Sequence, residues 1–266
     1  MLHVTPSVGM LLRNWRQQRR MSQLDLALRA EVSARHISFL ETGRAQPSRE
    51  MVLRLAEQLD VPLRERNTLL VSAGYAPVYR QSNLDDPTMG AAKQAIDLVL
   101  RGHEPYPALA VDRHWNLIAA NAAVTPLLAG VAPELLQPPI NVLRISMHPG
   151  GLAGAIENPA AWREHVLARL QRQIDATGDQ VLLGLRDELR AYPAADAVVP
   201  GSAVPGRQEQ IVIPLRLRYG DQLLSFLTTT TVFGAPLDIT LAELALELFY
   251  PADAATAAAL SRMAGR

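Results

Sequence analysis

The segment SARHISFLETG, residues 33–43, constrains the fold more than any other stretch, because it stands directly behind a second capped helical run, SQLDLALRA. Ser33 is an N-cap residue, Ile37 and Leu40 recur on one helical face, and Gly43 supplies the stop. Arg35, His36, Ser38 and Phe39 fall on other faces. Upstream, Ser22 caps a short helix with Leu26 and Ala27 inward and Gln23 opening its first turn toward solvent. Before it, 8–20 carries Leu11, Leu12 and Trp15 at helical spacing among Arg13, Arg16, Arg19 and Arg20. Downstream, Pro47-Ser48 opens a fourth helix with Met51, Leu55, Ala56 and Leu59 inward. A fifth follows Pro62, with Leu63, Leu69 and Leu70, and Gly74 closes it. The pattern predicts a compact five-helix bundle in which the second and third helices form a helix-turn-helix, and the third exposes side chains that could reach base edges.

Charge is divided along the chain. The 266 residues hold 26 basic and 26 acidic side chains, but residues 1–75 carry 11 arginines against 7 acids, leaving the remainder at −4. That distribution suits a nucleic-acid reader joined to a second, larger domain. The absence of cysteine excludes disulfides, thiolate metal sites and a cysteine nucleophile. No apolar run approaches the 18 or so residues of a membrane span, and no basic-then-apolar leader opens the chain. The expectation is a soluble, unexported, cytoplasmic protein without membrane partners.

The run RQQRRMSQLDLALRAEVSARHISFLETGRAQPSREMVLRLAEQLDV resembles the XRE family, the Cro and phage-repressor type of helix-turn-helix. The resemblance implies a lambda-repressor-like all-α domain that binds double-stranded DNA. It also implies that Arg16 pairs with Glu41 to lock the first helix to the third. The family's base and phosphate contacts map onto Gln23, Ser33, Ala34, Arg35, His36 and Ser38, with Arg44 and Arg49 near the flanking backbone or minor groove. Arg35 is the first choice for a guanine, since a guanidinium can engage O6 and N7 together. Many members carry glycine where this chain has Glu31, so a left-handed turn there would cost more. The competing reading, a bundle with an arginine-rich solvated face, does not explain the order of caps, core and exposed polar positions.

Beyond a linker at 79–87, a helix over about 88–101 carries Ala92, Ala95, Ile96 and Val99 on one face, fitting either a connector or a dimer seam. ALAVD and WNLIAAN read as a strand pair, Asn121 as the start of a short helix broken by Pro126, and INVLRISMHPGG as a strand entering a loop. Trp162, Val166, Leu170 and Ile174 mark a long helix after Pro159, another spans about 181–192, and 193–206 reads as an exposed loop. Ile211, Ile213, Leu215, Leu217 and Tyr219 alternate as a strand before the turn Gly220-Asp221, with Pro214 suggesting an edge or bulge, and 223–233 answers as its partner. LAELALELFY fits strand and helix periodicity equally.

NVLRISMHPGGL, the tryptophan-bearing helix, TTTTVFGAPLDIT and LFYPADAATAAAL are similar to the ligand-binding domain of MmyB-like (MltR-like) transcription regulators, over nearly all of 84–260. The resemblance implies an α+β PAS-like domain over 88–266, with an antiparallel sheet that makes 241–250 a strand. It further implies a small-molecule cavity, able to hold a fatty acid in some members, and homodimerisation on a palindromic operator. Arg144, His148 and Trp162 are the first candidates to border the cavity, with Asn121, Phe226, Thr228 and Thr230 next; an acyl carboxylate would meet Arg144 or His148. Each also has a structural reading, Trp162 as core and Arg144 as a surface strand residue. The six histidines form no HxxxH or HExxH pair, and no GxSxG, P-loop or GxGxxG is present, so no catalytic residue, metal or cofactor is expected. Two readings of the second domain stay open: a sensor, or a dimerisation and docking platform without a ligand.

Overall fold

The computed structural model describes residues 6–193 and 212–265. These fall into two compact units, one of residues 6–82 with the short segments 175–177 and 235–242, the other of 83–174, 178–193, 212–234 and 243–265.

The first unit is built on α1 (Val8–Gln18), α2 (Gln23–Arg29), α3 (Ala34–Glu41), α4 (Arg49–Gln58) and α5 (Leu63–Ser72). The hydroxyls of Ser7, Ser22, Ser33 and Ser48 accept from the backbone N–H of Met10, Asp25, His36 and Met51, four N-caps of which Ser22 and Asp25 complete a reciprocal box. Each such cap contributes about 0.5–2 kcal/mol. All five helices stop in the same way, with one left-handed residue and a hydrogen bond reaching back five positions: Met21 N to Arg16 O, Val32 N to Ala27 O, Arg44 N to Phe39 O, Val61 N to Ala56 O and Tyr75 N to Leu70 O. The left-handed residue is glycine only at Gly43 and Gly74; Arg20, Glu31 and Asp60 hold φ of +54°, +54° and +47°. Glu31 therefore turns the chain between α2 and α3 at some cost in strain, while keeping the same hydrogen bonds.

Inside, Leu12, Leu26, Ile37, Leu40, Leu55, Leu59, Leu69 and Leu70 are sealed from solvent. On α4 the buried stripe is Val52, Leu55, Ala56 and Leu59, and Met51, expected inward, only packs against its margin. Leu11 and Leu63 are likewise half-buried. Gly9 has a reason that periodicity does not show: a Cβ there would lie 2.3 Å from the Leu40 carbonyl oxygen, so only glycine lets α1 rest on the end of α3.

The second unit carries α6 (Gly90–Gly102), β1 (Ala108–Val111), β2 (Leu117–Ala120), α7 (Val142–Met147), α8 (Pro159–Thr177, but for its last three residues), α9 (Gln180–Ala191), β3 (Leu215–Tyr219), β4 (Gln222–Val232), β5 (Ala245–Pro251) and α11 (Ala254–Ala264), while the helical turn α10 (Ile239–Ala242) falls in the first. The strands form one antiparallel sheet in the order β2-β1-β5-β4-β3. Ala108, Ala110, Leu246 and Leu248 on one face pack with Ile96 and Leu100 of α6. Leu109, Val111, Leu215, Leu217, Leu224 and Phe226 on the other face meet α8 through Trp162, Val166 and Leu170, and α9 through Leu182, Leu185 and Leu189. The helix-flanked antiparallel sheet that the resemblance implies is present.

Four local expectations change. VLRISM is helical, not a strand, because the Asn141 side chain accepts from Leu143 N and Arg144 N and caps α7. Asn121 starts no α-helix; a 3-10 turn at Thr125–Leu128 follows, with Pro126 in its first turn. The stretch 241–250 is divided, its first two residues completing α10 and β5 beginning only at Ala245. β3 begins only at Leu215, at the sheet edge, so Pro214 sits just outside the ladder, where its missing N–H costs nothing. Ile211 and most of the loop expected at 193–206 lie outside the described residues.

Candidate functional site

In the first unit the end of α1, the start of α2 and the end of α3 are tied together from inside. Arg16 Nε and Nη2 donate to Glu41 Oε1 and Oε2 at 2.6 and 2.8 Å, Arg16 Nη1 donates to the Met21 carbonyl at 2.7 Å, and the Gln23 amide donates to Glu41 Oε2 at 2.9 Å. Burial alone pushes the Glu41 carboxyl up, but the hydrogen bonds from Arg16 and Gln23 outweigh it and hold the group below the ordinary carboxylate range. Gln23 thus has one amide proton committed to the brace, and the Ser33 hydroxyl is committed to its cap. Arg35 is exposed at the start of α3, with Ala34, His36 and Ser38 half-buried beside it. Its guanidinium lies 5.2 Å from the Phe39 ring centre, and that of Arg44 lies 5.9 Å from the same ring. Phe39 thus steadies two cations by about 0.5–1 kcal/mol each at an exposed site. Arg44 and Arg49 stand exposed in the following loop and at the start of α4. The result is an arginine-rich surface carried by the recognition helix and its flank.

The core of the second unit is hollow. A cavity of about 130 Å³ lies between the sheet and α7 and α8, walled mainly by Leu109, Leu117, Leu143, Val166, Phe226 and Phe249. Its polar lining residues come from α7, α8, β4 and β5: Ser146, His165, Arg169, Thr228 and Glu247. Arg169 holds Glu247 through both nitrogens at 2.8 and 2.6 Å, donates to the Thr230 hydroxyl at 2.6 Å, and lies 4.5 Å from the Trp115 ring centre. Glu247 is 3% exposed, whereas the Arg169 side chain keeps 26% of its surface in solvent, so only the carboxylate half of the pair is desolvated. Trp115 occupies a left-handed conformation, φ +68°, held by Asp112, which accepts from His114 N and Asn116 N; its indole donates to Gln173. A non-glycine residue in that region stores strain at the cavity wall. Burial, with Arg169 and Arg172 nearby, pushes the His165 imidazolium down, so the ring facing the cavity is neutral at physiological pH; Trp162 stacks on it at 5.4 Å. Trp162 also donates to the Ser146 hydroxyl at 2.7 Å. The Thr228 hydroxyl, buried at the wall, has no hydrogen-bond partner among the described residues.

The expected pocket residues separate into two groups. Trp162, Phe226 and Thr228 line the cavity. Arg144 does not: helical geometry turns it toward α9, where it grips Glu188 at 2.8 Å through two nitrogens, while Tyr192 donates to the same carboxylate and is pushed up to about 12 by burial and that bond. His148 stacks edge-on to Tyr192 and accepts from Gly150 N. Asn121 is buried as a tie, accepting from Ala108 N and donating to the Leu100 and Tyr106 carbonyls. Thr230 sits one pleat beyond the cavity, on Arg169 and Glu247. Neither cation expected to meet a carboxylate is therefore at the cavity. Trp115, His165, Arg169 and Glu247 were not singled out, although Trp162, His165, Val166 and Arg169 fall on one stripe of α8 at the spacing that marks a shared face.

A family model for the MmyB-like transcription regulator ligand binding domain matches residues 92–263, well over half of the chain. The chain belongs to that family. A helix-turn-helix model matches residues 12–66, covering α2, α3 and the Arg16–Glu41 brace. No curated protein matches the chain significantly. In this MmyB-like regulator the family's ligand-binding domain is thus the unit with the hollow core, and the DNA-binding unit is the braced one. Among the described residues no helix is long and apolar enough to cross a membrane, and no group of three His, Asp or Glu side chains is placed to hold a metal ion.

Proposed function

We propose that this MmyB-like regulator is a cytoplasmic homodimer that binds a palindromic operator through its helix-turn-helix and responds to a small, mainly apolar molecule, of the kind an acyl chain represents, held in the second unit. The observation that carries the reading is a complete, braced reading head on the same chain as a domain whose core encloses apolar space. A platform used only for docking has no need of that space. Ligand binding acts by favouring one spacing of the paired heads over another, since an effector shifts an equilibrium only through differential affinity for its states.

The test is selection of bound duplexes from a random pool, followed by titration of the recovered operator. Arg35→Ala is expected to lose about 1–3 kcal/mol on the operator and little on random DNA. Arg44→Ala should weaken both equally and lower the salt dependence by about one counterion. Undiminished selectivity in Arg35→Ala would remove Arg35 from the readout.

A further inference from the structure

Resting on the sensor reading, the size of the cavity and the rings in its walls narrow the occupant further. Its volume of about 130 Å³ is close to the ~150 Å³ at which a cavity lined by aliphatic and aromatic side chains stays dry and holds one benzene. Two of the chain's three tryptophans and two of its four phenylalanines line it: Trp115, Trp162, Phe226 and Phe249. Phe226 and Phe249 already meet edge to face, their ring centres 6.1 Å apart, in the arrangement that a further ring can extend. An alkyl chain gains nothing from that geometry beyond the area it buries.

The cavity also has an end. A second pocket, of about 570 Å³, lies along α7, α8 and the last turn of α9, and three residues line both spaces: Ser146, Ile156 and Trp162. Trp162 is the largest of the three and is held from two sides, its indole donating to the Ser146 hydroxyl at 2.7 Å and stacking on the His165 ring. A chain too long for the inner space could reach the outer one only past this side chain.

We propose that the cavity takes a compact, single-ring aromatic molecule, of about benzene to toluene size, and that Trp162 is the end-stop that excludes longer chains.

The full chain is titrated by calorimetry with two uncharged probes, toluene and 1-decanol. Each buried methylene strengthens binding by about four-fold, so a site with room for the chain would favour decanol strongly. Toluene is expected to bind at least about ten-fold more tightly instead, because overfilling a closed cavity forces its walls apart. Trp162→Ala, which joins the two spaces, should weaken toluene by about three- to ten-fold and strengthen decanol by at least about ten-fold. Trp162→Leu, a milder reduction of the same wall, should move both affinities in the same directions by about three-fold, and it carries the test if Trp162→Ala does not fold. Tighter binding of decanol than toluene by the wild type overturns the proposal while leaving the sensor reading intact. Weakening of both probes alike in the Trp162 variants would make that residue core packing and overturn its role as end-stop, as would no change in either affinity. Binding of neither probe, by a chain freed of any copurified molecule, ends the sensor reading itself.

Discussion

The two units bury charge in opposite settings. In the head, Arg16 and Glu41 lie beneath a core of tightly enclosed leucines, and every polar atom of the brace has a use: Glu41 takes three hydrogen bonds from Arg16 and Gln23, and Arg16 spends a further nitrogen on the Met21 carbonyl. In the ligand-binding unit, Arg169 and Glu247 are paired just as closely, but they stand at the edge of empty space, with the Thr228 hydroxyl close by and without a partner among the described residues. The same chemical device thus fixes a geometry in one place and shapes a vacancy in the other. A reading head must hold its recognition helix in one register on a duplex, whereas a sensor must leave something for its effector to complete.

The comparison breaks most readily at the brace. Glu41→Ala leaves Arg16 buried without its countercharge, and urea unfolding followed through the head is expected to show a loss of about 3–5 kcal/mol. A loss below 1 kcal/mol would mean that the brace is solvated and the head less rigid than its hydrogen bonds indicate.

A matched pair of enlargements sharpens it further. Val52 in the head and Val166 at the cavity wall are both buried, at 0% and 4% exposure. Val52→Phe must force apart a filled core, at about 1–3 kcal/mol. Val166→Phe has the cavity to grow into and should cost less than half as much, or raise the melting temperature. Equal losses would show that the cavity collapses in solution.

Much of the head was legible in the sequence because its signals are local. Ser22, Ser33 and Ser48 cap where cap residues should, and the Ile37 and Leu40 stripe is set by 3.6-residue periodicity. Even Glu31, out of place for a left-handed turn, was visible as a conflict between residue and conformation. Gly9 was not, since its reason is a carbonyl 31 residues away.

The second unit was less legible because long-range packing decides it. VLRISM is rich in β-branched and aliphatic residues and reads as a strand, yet Asn141 caps it into a six-residue helix, and that change turns Arg144 away from the cavity toward Glu188. Glu247 shares its strand face with Phe249, which places a carboxylate among apolar side chains and marks a buried charge. That signal was hidden because LAELALELFY fits both periods, and α10 and β5 in fact divide the stretch.

The account rests on the second unit being hollow so that it can be filled. The direct measurement is native mass spectrometry of the full chain purified without added ligand, beside the Val166→Phe variant. The account predicts one small apolar molecule per wild-type chain, released on denaturation and absent from Val166→Phe. A wild-type protein with no bound molecule, which also takes up none when offered the uncharged probes, would contradict it.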